Sequence, residues 1–425
     1  MKKLLLSIIL ILALNACSNE HTQNISEPIT ENYEIITETI DNEIEENTIL
    51  NRLSANQNIE ISIEAALQDV NFIVQTLEDN FPFLGVTARI TGNDNPIDAF
   101  KNSLTLSLQN LQNDNITTEE FENVLRQGFN ENFVASLAHL NLSRAGIIMV
   151  PEENFTVPQG TNSHIIEEEK IALLTIPQQL YDETALPMRE IQEFIAKIQG
   201  YEHIILDLRY VVGGFLETPI STLISPNISE PLILQEYAFI TNGEMAQTAY
   251  NRELSITQTT NANRRNNNTF VLRDIVEESI LPAADFAELH NLTEINQQDL
   301  DNLAYGFLLE TSIPPIDTTL RLPLLAENIW LLVGENNFSA ASITAQIAKE
   351  AGFILVGETT NRANSWARSF FFLPNSRHSL SMDTFYITDN TGRNTEEFPI
   401  EPHYFNRPGM DALQTTLAII AEREE

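Results

Sequence analysis

The sequence predicts an α/β chain, with a core of βα units preceded by a small N-terminal bundle of helices. Two observations carry this. Three amphipathic helical segments come before any strand signal, and after them short apolar runs alternate with helical stretches, the pattern of parallel pairings. At 425 residues, 43% of them hydrophobic, the chain can bury a sizeable core and hold more than one domain.

At the start, Lys2-Lys3 is followed by the apolar run Leu4 to Leu14 and then Asn15-Ala16-Cys17-Ser18. This has the charged start and short hydrophobic stretch of a secretory signal, too short for a spanning helix. Leu14-Asn15-Ala16-Cys17 resembles a bacterial lipoprotein lipobox. That resemblance implies a signal peptide over 1–16, a lipid on Cys17 and an exported protein anchored to a membrane on its periplasmic or cell-surface side. An ordinary signal peptide with an incidental cysteine is the other reading. Residues 17–58, rich in Asn, Glu and Thr, read as a flexible acidic tether.

The first helix runs from Ser62, with Leu67, Val70, Ile73, Val74 and Leu77 on one face, and stops before Phe81-Pro82. A second is expected across Ala99 to Leu111. The third starts at Thr117, where Thr117-Thr118-Glu119-Glu120 has capping-box spacing, and continues through Phe121, Val124, Leu125 and Phe129. Together they predict an N-terminal helical domain over 59–145.

The α/β domain is expected over 146–425. Ile171 to Ile176 reads as a strand. Pro187 opens a helix with Ile191, Phe194, Ile195 and Ile198 on one face, and Gly200 closes it. His203 to Leu208 is a second buried strand. An insertion follows at about 215–323, in which Asn261 to Asn268 reads as an exposed loop and Asp299 to Leu309 as helical. Asn328 to Val333 is a strand ending in the polar turn Gly334-Glu335-Asn336-Asn337. A helix then opens at Ser339 and stops at Gly352, and Phe353 to Val356 is a further strand. Ser369 to Leu373 and Ser379 to Ile387 alternate like a hairpin, and Asp411 to Ala421 closes the chain as a helix.

Composition excludes several functions. With 60 acidic residues against 23 basic and a formal net charge of −37, the chain lacks the clustered Lys and Arg that nucleic acid or an anionic membrane face requires. Cys17 is the only cysteine, so the folded part has no intrachain disulfide, cysteine zinc cluster or catalytic cysteine. No metal, ATP or dinucleotide motif is present, and no cofactor is expected.

The chemistry centres on Ser339. A serine between a buried strand and a helix sits where unpaired amides and the helix dipole stabilise an oxyanion, although the same position suits a plain N-cap. Asp207-Leu208-Arg209-Tyr210-Val211-Val212-Gly213-Gly214 ends another strand in a diglycine that lets backbone approach a ligand. Asp207 and Arg209 read as fixing the loop that follows.

These segments, with Leu355-Val356-Gly357-Glu358-Thr359-Thr360 and Phe398-Pro399-Ile400-Glu401-Pro402-His403, resemble the tail-specific (C-terminal processing) serine peptidases, in order and spacing, from about Ala135 to Ala421. The resemblance implies a ClpP/crotonase-like core, a polypeptide substrate, Ser339 as nucleophile, and the amides of Ala340 and of Gly213 or Gly214 as the oxyanion hole. One branch of the family uses a lysine base, but Ala363 stands at that position. The only lysine after Ser339, Lys349, is about 15 Å along the helix axis. Arg362 cannot serve as a base, because guanidinium keeps its proton.

The tricorn-like branch uses a histidine and a late glutamate. Leu137-Ala138-His139 looks like that branch's Asp-Gly-His segment, which makes His139 the implied base, and Glu396 matches the glutamate, with Glu397 beside it as the fallback. A satisfied boundary histidine and surface glutamates are the plain readings, and His403 is a weaker alternative base. Val211 for Asn, Pro399 for Gly and Ser342 for Glu depart from the family pattern, and no PDZ-type domain fits between His139 and Ile171. These departures leave a catalytically inactive peptide- or ligand-binding lipoprotein as the alternative. An acyl-CoA enzyme of crotonase type lacks a basic cluster to hold the nucleotide.

Overall fold

The computed structural model describes residues 58–111, 113–134, 137–143, 162–176, 178, 186–322, 324–362 and 364–424. The signal segment, Cys17 and nearly all of the tether lie outside the described residues, as does Ala363. Four helices come first: α1 (Ile63–Asn80), α2 (Leu84–Thr91), α3 (Pro96–Gln109) and α4 (Thr118–Asn132). The antiparallel pair β1 (Glu60–Ser62) and β2 (Asn115–Thr117) ties their ends. The Ser62 hydroxyl caps α1 by accepting from the Ala65 amide at 3.1 Å. The capping box at Thr117 forms in full, with the Glu120 amide donating to the Thr117 hydroxyl at 3.2 Å and the Thr117 amide to the Glu120 carboxylate at 2.9 Å. The helix missed in the sequence, α2, is a short one ended by Gly92 at φ 68°.

Next come β3 (Asn141–Ser143), β4 (Asn162–Glu167), β5 (Ile171–Thr175), α5 (Leu186–Lys197) and β6 (His203–Asp207). The middle segment holds β7 (Leu232–Ile240), α6 (Glu244–Ile256), β8 (Val271–Ile275), β9 (Leu281–Pro282), α7 (Ala283–Leu289) and β10 (Tyr305–Ile313). The last third holds β11 (Ile329–Val333), α8 (Ala340–Glu350), β12 (Ile354–Gly357), β13 (Trp366–Phe372), β14 (Ser379–Thr388), β15 (Tyr404–Phe405) and α9 (Ala412–Glu424).

The strands make two large sheets. In the first the order is β15-β12-β11-β6-β5-β4, all parallel except β4. Alternate residues point to opposite faces. Ala172, Leu174, Ile204, Leu206, Leu331 and Val333 pack with Ile191 and Phe194 of α5, with Ile198 just beyond it, and with Ile343 and Ile347 of α8. Ile171, Leu173, Ile205, Trp330 and Leu332 pack with Ala412, Ile419 and Ile420 of α9. Burial on both faces is why these strands read as unbroken apolar runs.

The second sheet is antiparallel, in the order β13-β14-β7-β10-β8, with β3 beside β14 and β9 beside β10. The segment read as an insertion thus supplies most of a sheet and pairs through β7 with Tyr386–Thr388 of β14. The N-terminal helices bury Val70, Ile73, Phe100, Phe121 and Leu125 in one cluster with Phe371, Leu380 and Met382 of this sheet. Ala55–Glu425 is a single compact unit.

Two local expectations are corrected. Asp299 to Leu309 is not a helix: a short turn at Gln297–Leu300 leads into β10, where Phe307, Leu309, Thr311 and Ile313 are buried and the residues between them only half so. Asn261 to Asn268 is not a loop throughout. The chain stays helical through Ala262–Asn266, and buried Asn261 donates to Asp274 at 2.8 Å, a tertiary bond that outweighs the poor helix propensity of Asn.

Candidate active site

β6 and β11 are parallel neighbours, with Leu206 beside Leu331 and Asp207 beside Leu332, so the segments that leave their C-terminal ends lie together. One carries Gly213-Gly214 and the other Ser339. Asn337, fully buried, ties them: its amide nitrogen donates to the carbonyls of Leu208 at 2.7 Å and Val211 at 2.9 Å, while its oxygen accepts from the Gly334 amide at 2.8 Å. The Phe338 amide adds a bond to the Val212 carbonyl at 2.9 Å. As expected, Arg209 grips Asp207 through two nitrogens, each at 2.8 Å, and braces the loop; it also reaches Asp411, just before α9, at 3.3 Å.

Ser339 has φ 52° and ψ −122°, a conformation that costs a non-glycine residue of order 1–3 kcal/mol. It precedes α8 but its side chain caps nothing. Its hydroxyl lies 2.9 Å from His139 Nε2 instead, which removes the plain N-cap reading. His139 sits between α4 and β3, itself at φ 48° beside Ala138 at φ 46°. Its Nδ1 is 2.5 Å from Asp383 Oδ2 in β14, and its ring meets Phe338 edge-on at 5.2 Å. Because the Asp383 carboxylate only accepts, the bond places the proton on Nδ1 and turns the Nε2 lone pair to the serine. Burial alone would raise the Asp383 carboxyl, but His139, Arg368 and the Ser365 hydroxyl outweigh it and hold it below the usual carboxylate range.

Glu396 is fully buried, yet its carboxylate is directed to the backbone: it accepts from the Ala138 amide at 3.0 Å and the Ser365 amide at 2.8 Å. The partner of the imidazole is therefore Asp383, and Glu396 holds the two peptides on either side of the pair. Ser365 in turn donates its hydroxyl to Asp383 at 2.8 Å. Glu397 pairs with Arg89 at 2.7 Å, and His403 accepts from the Leu355 amide at 3.0 Å, so both fallback residues are engaged in holding the fold. Lys349 donates to the Glu401 carbonyl, and Arg362 to the Glu396 carbonyl.

Around the serine, a Cβ on Gly213 would come 2.7 Å from the Phe338 carbonyl and 3.3 Å from Ser339 Cβ, so only glycine admits this approach. Gln178 brackets the same turn, accepting from the Val212 amide at 2.9 Å and donating to the Gly213 carbonyl. Among the described residues no acceptor takes the amides of Gly213, Gly214 or Ala340. Ser342 and Thr360 share a buried hydrogen bond at 2.7 Å, which joins the start of α8 to the segment after β12.

Sequence reasoning missed Asp383, Ser365, Asn337 and Gln178. Asp383 alone left a signal, as a single charge inside the otherwise uncharged strand Ser379–Thr388, where burial demands a partner. Among the described residues, Glu202, His203 and Glu424 have metal-ligand composition. There Trp330 Nε1 donates to His203 Nδ1, which leaves the proton on Nε2, and Lys170 holds Glu424 at 2.6 Å. Those bonds engage His203 Nδ1 and one oxygen of Glu424.

A strained serine at a strand–helix turn, bonded to a histidine that a buried aspartate orients, is the geometry of a serine hydrolase. The model of peptidase family S41 matches residues 170–405, and the chain belongs to that family. No curated protein matches it. Among solved structures, mature CPAF is 13% identical with a TM-score of 0.51, over 81% of this chain and 92% of that one. A candidate peptidase from Parabacteroides merdae is 11% identical with a TM-score of 0.51, over 85% of this chain and 97% of that one. At such identities the likeness shows the fold, the mixed α/β architecture that the strand and helix pattern predicted.

Proposed function

We propose that this chain is an exported serine endopeptidase of the tail-specific kind, anchored through a lipid on Cys17, that cleaves polypeptides with Ser339 as nucleophile and His139 as base. The observation that carries it is the 2.9 Å contact between Ser339 Oγ and His139 Nε2. His139 takes the hydroxyl proton as Oγ attacks the peptide carbonyl, and the Asp383 carboxylate stabilises the imidazolium that forms. His139 then hands the proton to the leaving amine, and water repeats the sequence on the acyl-serine. Glu396 acts through backbone, as a positioning residue.

For the oxyanion, Ala340 at the first position of α8 offers its free amide. Of the two glycines, Gly214 suits the second donor. The Gly213 carbonyl is held by Gln178, and a trans peptide directs the Gly214 N–H the opposite way. Gly213's N–H points away from Phe338, because the Val212 carbonyl of the same peptide faces Phe338. Gly213 therefore acts by its lack of a side chain.

The test is hydrolysis of an unfolded casein by wild type and by Ser339→Ala, with product masses to place the cut bonds. Internal cleavage by wild type and loss of about four orders of magnitude in the variant are expected; equal rates sink the reading. For the anchor, Cys17→Ser should move the protein from the membrane to the soluble fraction. Unchanged partition removes the lipid.

A further inference from the structure

Ser365, itself buried, is a junction beside the proposed site. Its hydroxyl donates to Asp383 at 2.8 Å, its amide donates to Glu396 at 2.8 Å, and its carbonyl accepts from Arg273 Nη1 at 3.3 Å. Each of its polar groups therefore meets a charged side chain. Asp383 and Glu396 belong to the site described above. Arg273 comes from β8, in the segment read as an insertion.

Arg273 reaches Ser365 through a local irregularity. β8 and β10 shift register between Glu310 and Ser312, so that β8 carries one extra residue opposite Thr311. Arg273 lies there at φ 48°, a left-handed conformation that a bulky residue rarely adopts, and its amide donates to the Thr311 hydroxyl at 3.0 Å. The side chain is almost wholly buried. It crosses β10 to Glu236 of β7, with Nε at 2.7 Å and Nη2 at 2.8 Å from the two carboxylate oxygens. Glu236 lies two residues from Ala238, which pairs with Ile387 of β14, four residues from Asp383. Even intervals along a strand keep one face, so the pair stands on the face that carries Asp383.

Neither feature serves stability well. A buried ion pair seldom stabilises a fold more than apolar residues of the same volume, and positive φ at an arginine is strained. Their joint effect is geometric. Glu236 grips the planar guanidinium at two points and so fixes its plane, which leaves Nη1 aimed at the Ser365 carbonyl.

We propose that Arg273 and Glu236 are positioning residues, which hold the Ser365 peptide so that its hydroxyl keeps Asp383 turned to His139. The segment between β6 and β11 then acts as a brace for the site. This rests on Asp383 orienting His139 as proposed above.

The test replaces the pair together, Glu236→Leu with Arg273→Met, since removing both charges leaves neither unpaired and keeps most of the volume. The unfolding midpoint should hold or rise, while kcat on the unfolded casein falls about tenfold to a hundredfold at unchanged KM. Ser365→Ala should lower kcat by a similar factor. Added to the paired replacement it should lower it little further, because both changes act through one hydroxyl. Losses that multiply, or an unchanged kcat in the paired variant, overturn the proposal. A second readout needs no turnover. In the Ser339→Ala protein, the proton between His139 Nδ1 and Asp383 should give a far-downfield NMR resonance that Asp383→Asn removes. The paired replacement should broaden it or move it upfield, and a sharp, unmoved resonance overturns the brace whether or not wild type cleaves casein. A moved resonance in a chain whose wild type cleaves nothing supports the brace and refutes the peptidase reading alone.

Discussion

Ala138 and His139 both hold positive φ, 46° and 48°, and the Ala138 amide is pinned by Glu396 at 3.0 Å. An alanine there carries about 1 kcal/mol of backbone strain that glycine would not. Ala138→Gly should therefore change stability by less than about 1 kcal/mol in either direction, as strain relief offsets the added freedom of the unfolded chain, with activity retained. Denaturant titration beside an activity assay checks it, and a large loss in either would contradict the bracing role. Asp383→Asn leaves the shape but offers the imidazole an amide, so kcat should fall by roughly three to four orders of magnitude. Glu396→Gln should cost about 1–3 kcal/mol of stability, with a smaller loss of kcat than Asp383→Asn, because its carboxylate holds the Ala138 and Ser365 peptides and not the imidazole. The same pair sets a pH dependence. Since the Asp383 carboxyl is held below its ordinary range when folded, the unfolded chain binds the proton first as pH falls. Its contribution to stability is whole above about pH 4, the unfolded value, and disappears as pH drops through the lower folded value. The stability gap between wild type and Asp383→Asn, followed by denaturation across pH, should therefore close only on the acid side. Ser339 and His139 were legible because each sits in a short motif. Asp383 was not, because its partner is 244 residues away in sequence and only the pairing of β3 with β14 brings them together.

At the level of elements, the turn between β11 and α8 works only because its neighbours leave room. A Cβ at Gly357, where β12 ends at φ 140°, would fall 2.0 Å from the Val333 carbonyl, and one at Gly213 would press on Phe338 and Ser339. Gly213→Ala should thus lower kcat by about a hundredfold with a modest loss of stability, since the β6 loop can retreat only by moving the Gly214 amide. Gly357→Ala should lower the unfolding midpoint strongly, because the β11–β12 pair cannot part. Thermal unfolding and kcat measured on both variants separate the two effects, and identical behaviour would refute the distinction. The parallel strands were readable because both faces are buried and their side chains are apolar without interruption. β7 and β10 were not. In β10, the run Phe307-Leu308-Leu309 is apolar on both faces and breaks the alternation that Glu310 to Ile313 keeps, so the period is blurred. The helical run that follows α6 was hidden by its asparagines, of which Asn261 is fixed by a buried bond to Asp274.

The whole molecule carries 60 acidic and 23 basic residues. The arginines near the site do not counter this locally: Arg362 donates to the Glu396 carbonyl, and Arg368 lies 3.6 Å from Asp383. A net charge of −37 sets up a field that gathers cationic chains and repels anionic ones over a distance fixed by salt. The screening length is about 30 Å at 10 mM and about 10 Å at 0.1 M, so the field reaches beyond the surface only in dilute buffer. Two reporter peptides with one cleavable core, flanked by lysines in one and by glutamates in the other, should therefore respond oppositely. Between 10 mM and 0.3 M salt, kcat/KM for the lysine peptide should fall by roughly three- to tenfold, while that for the glutamate peptide rises. Near saturation kcat should stay level for both, because chemistry at Ser339 proceeds after capture and behind local dipoles that salt does not reach. A parallel fall for both peptides would point to salt acting on the fold. Equal and salt-independent rates would mean that the acidic charge lies too far from the cleft to steer substrate.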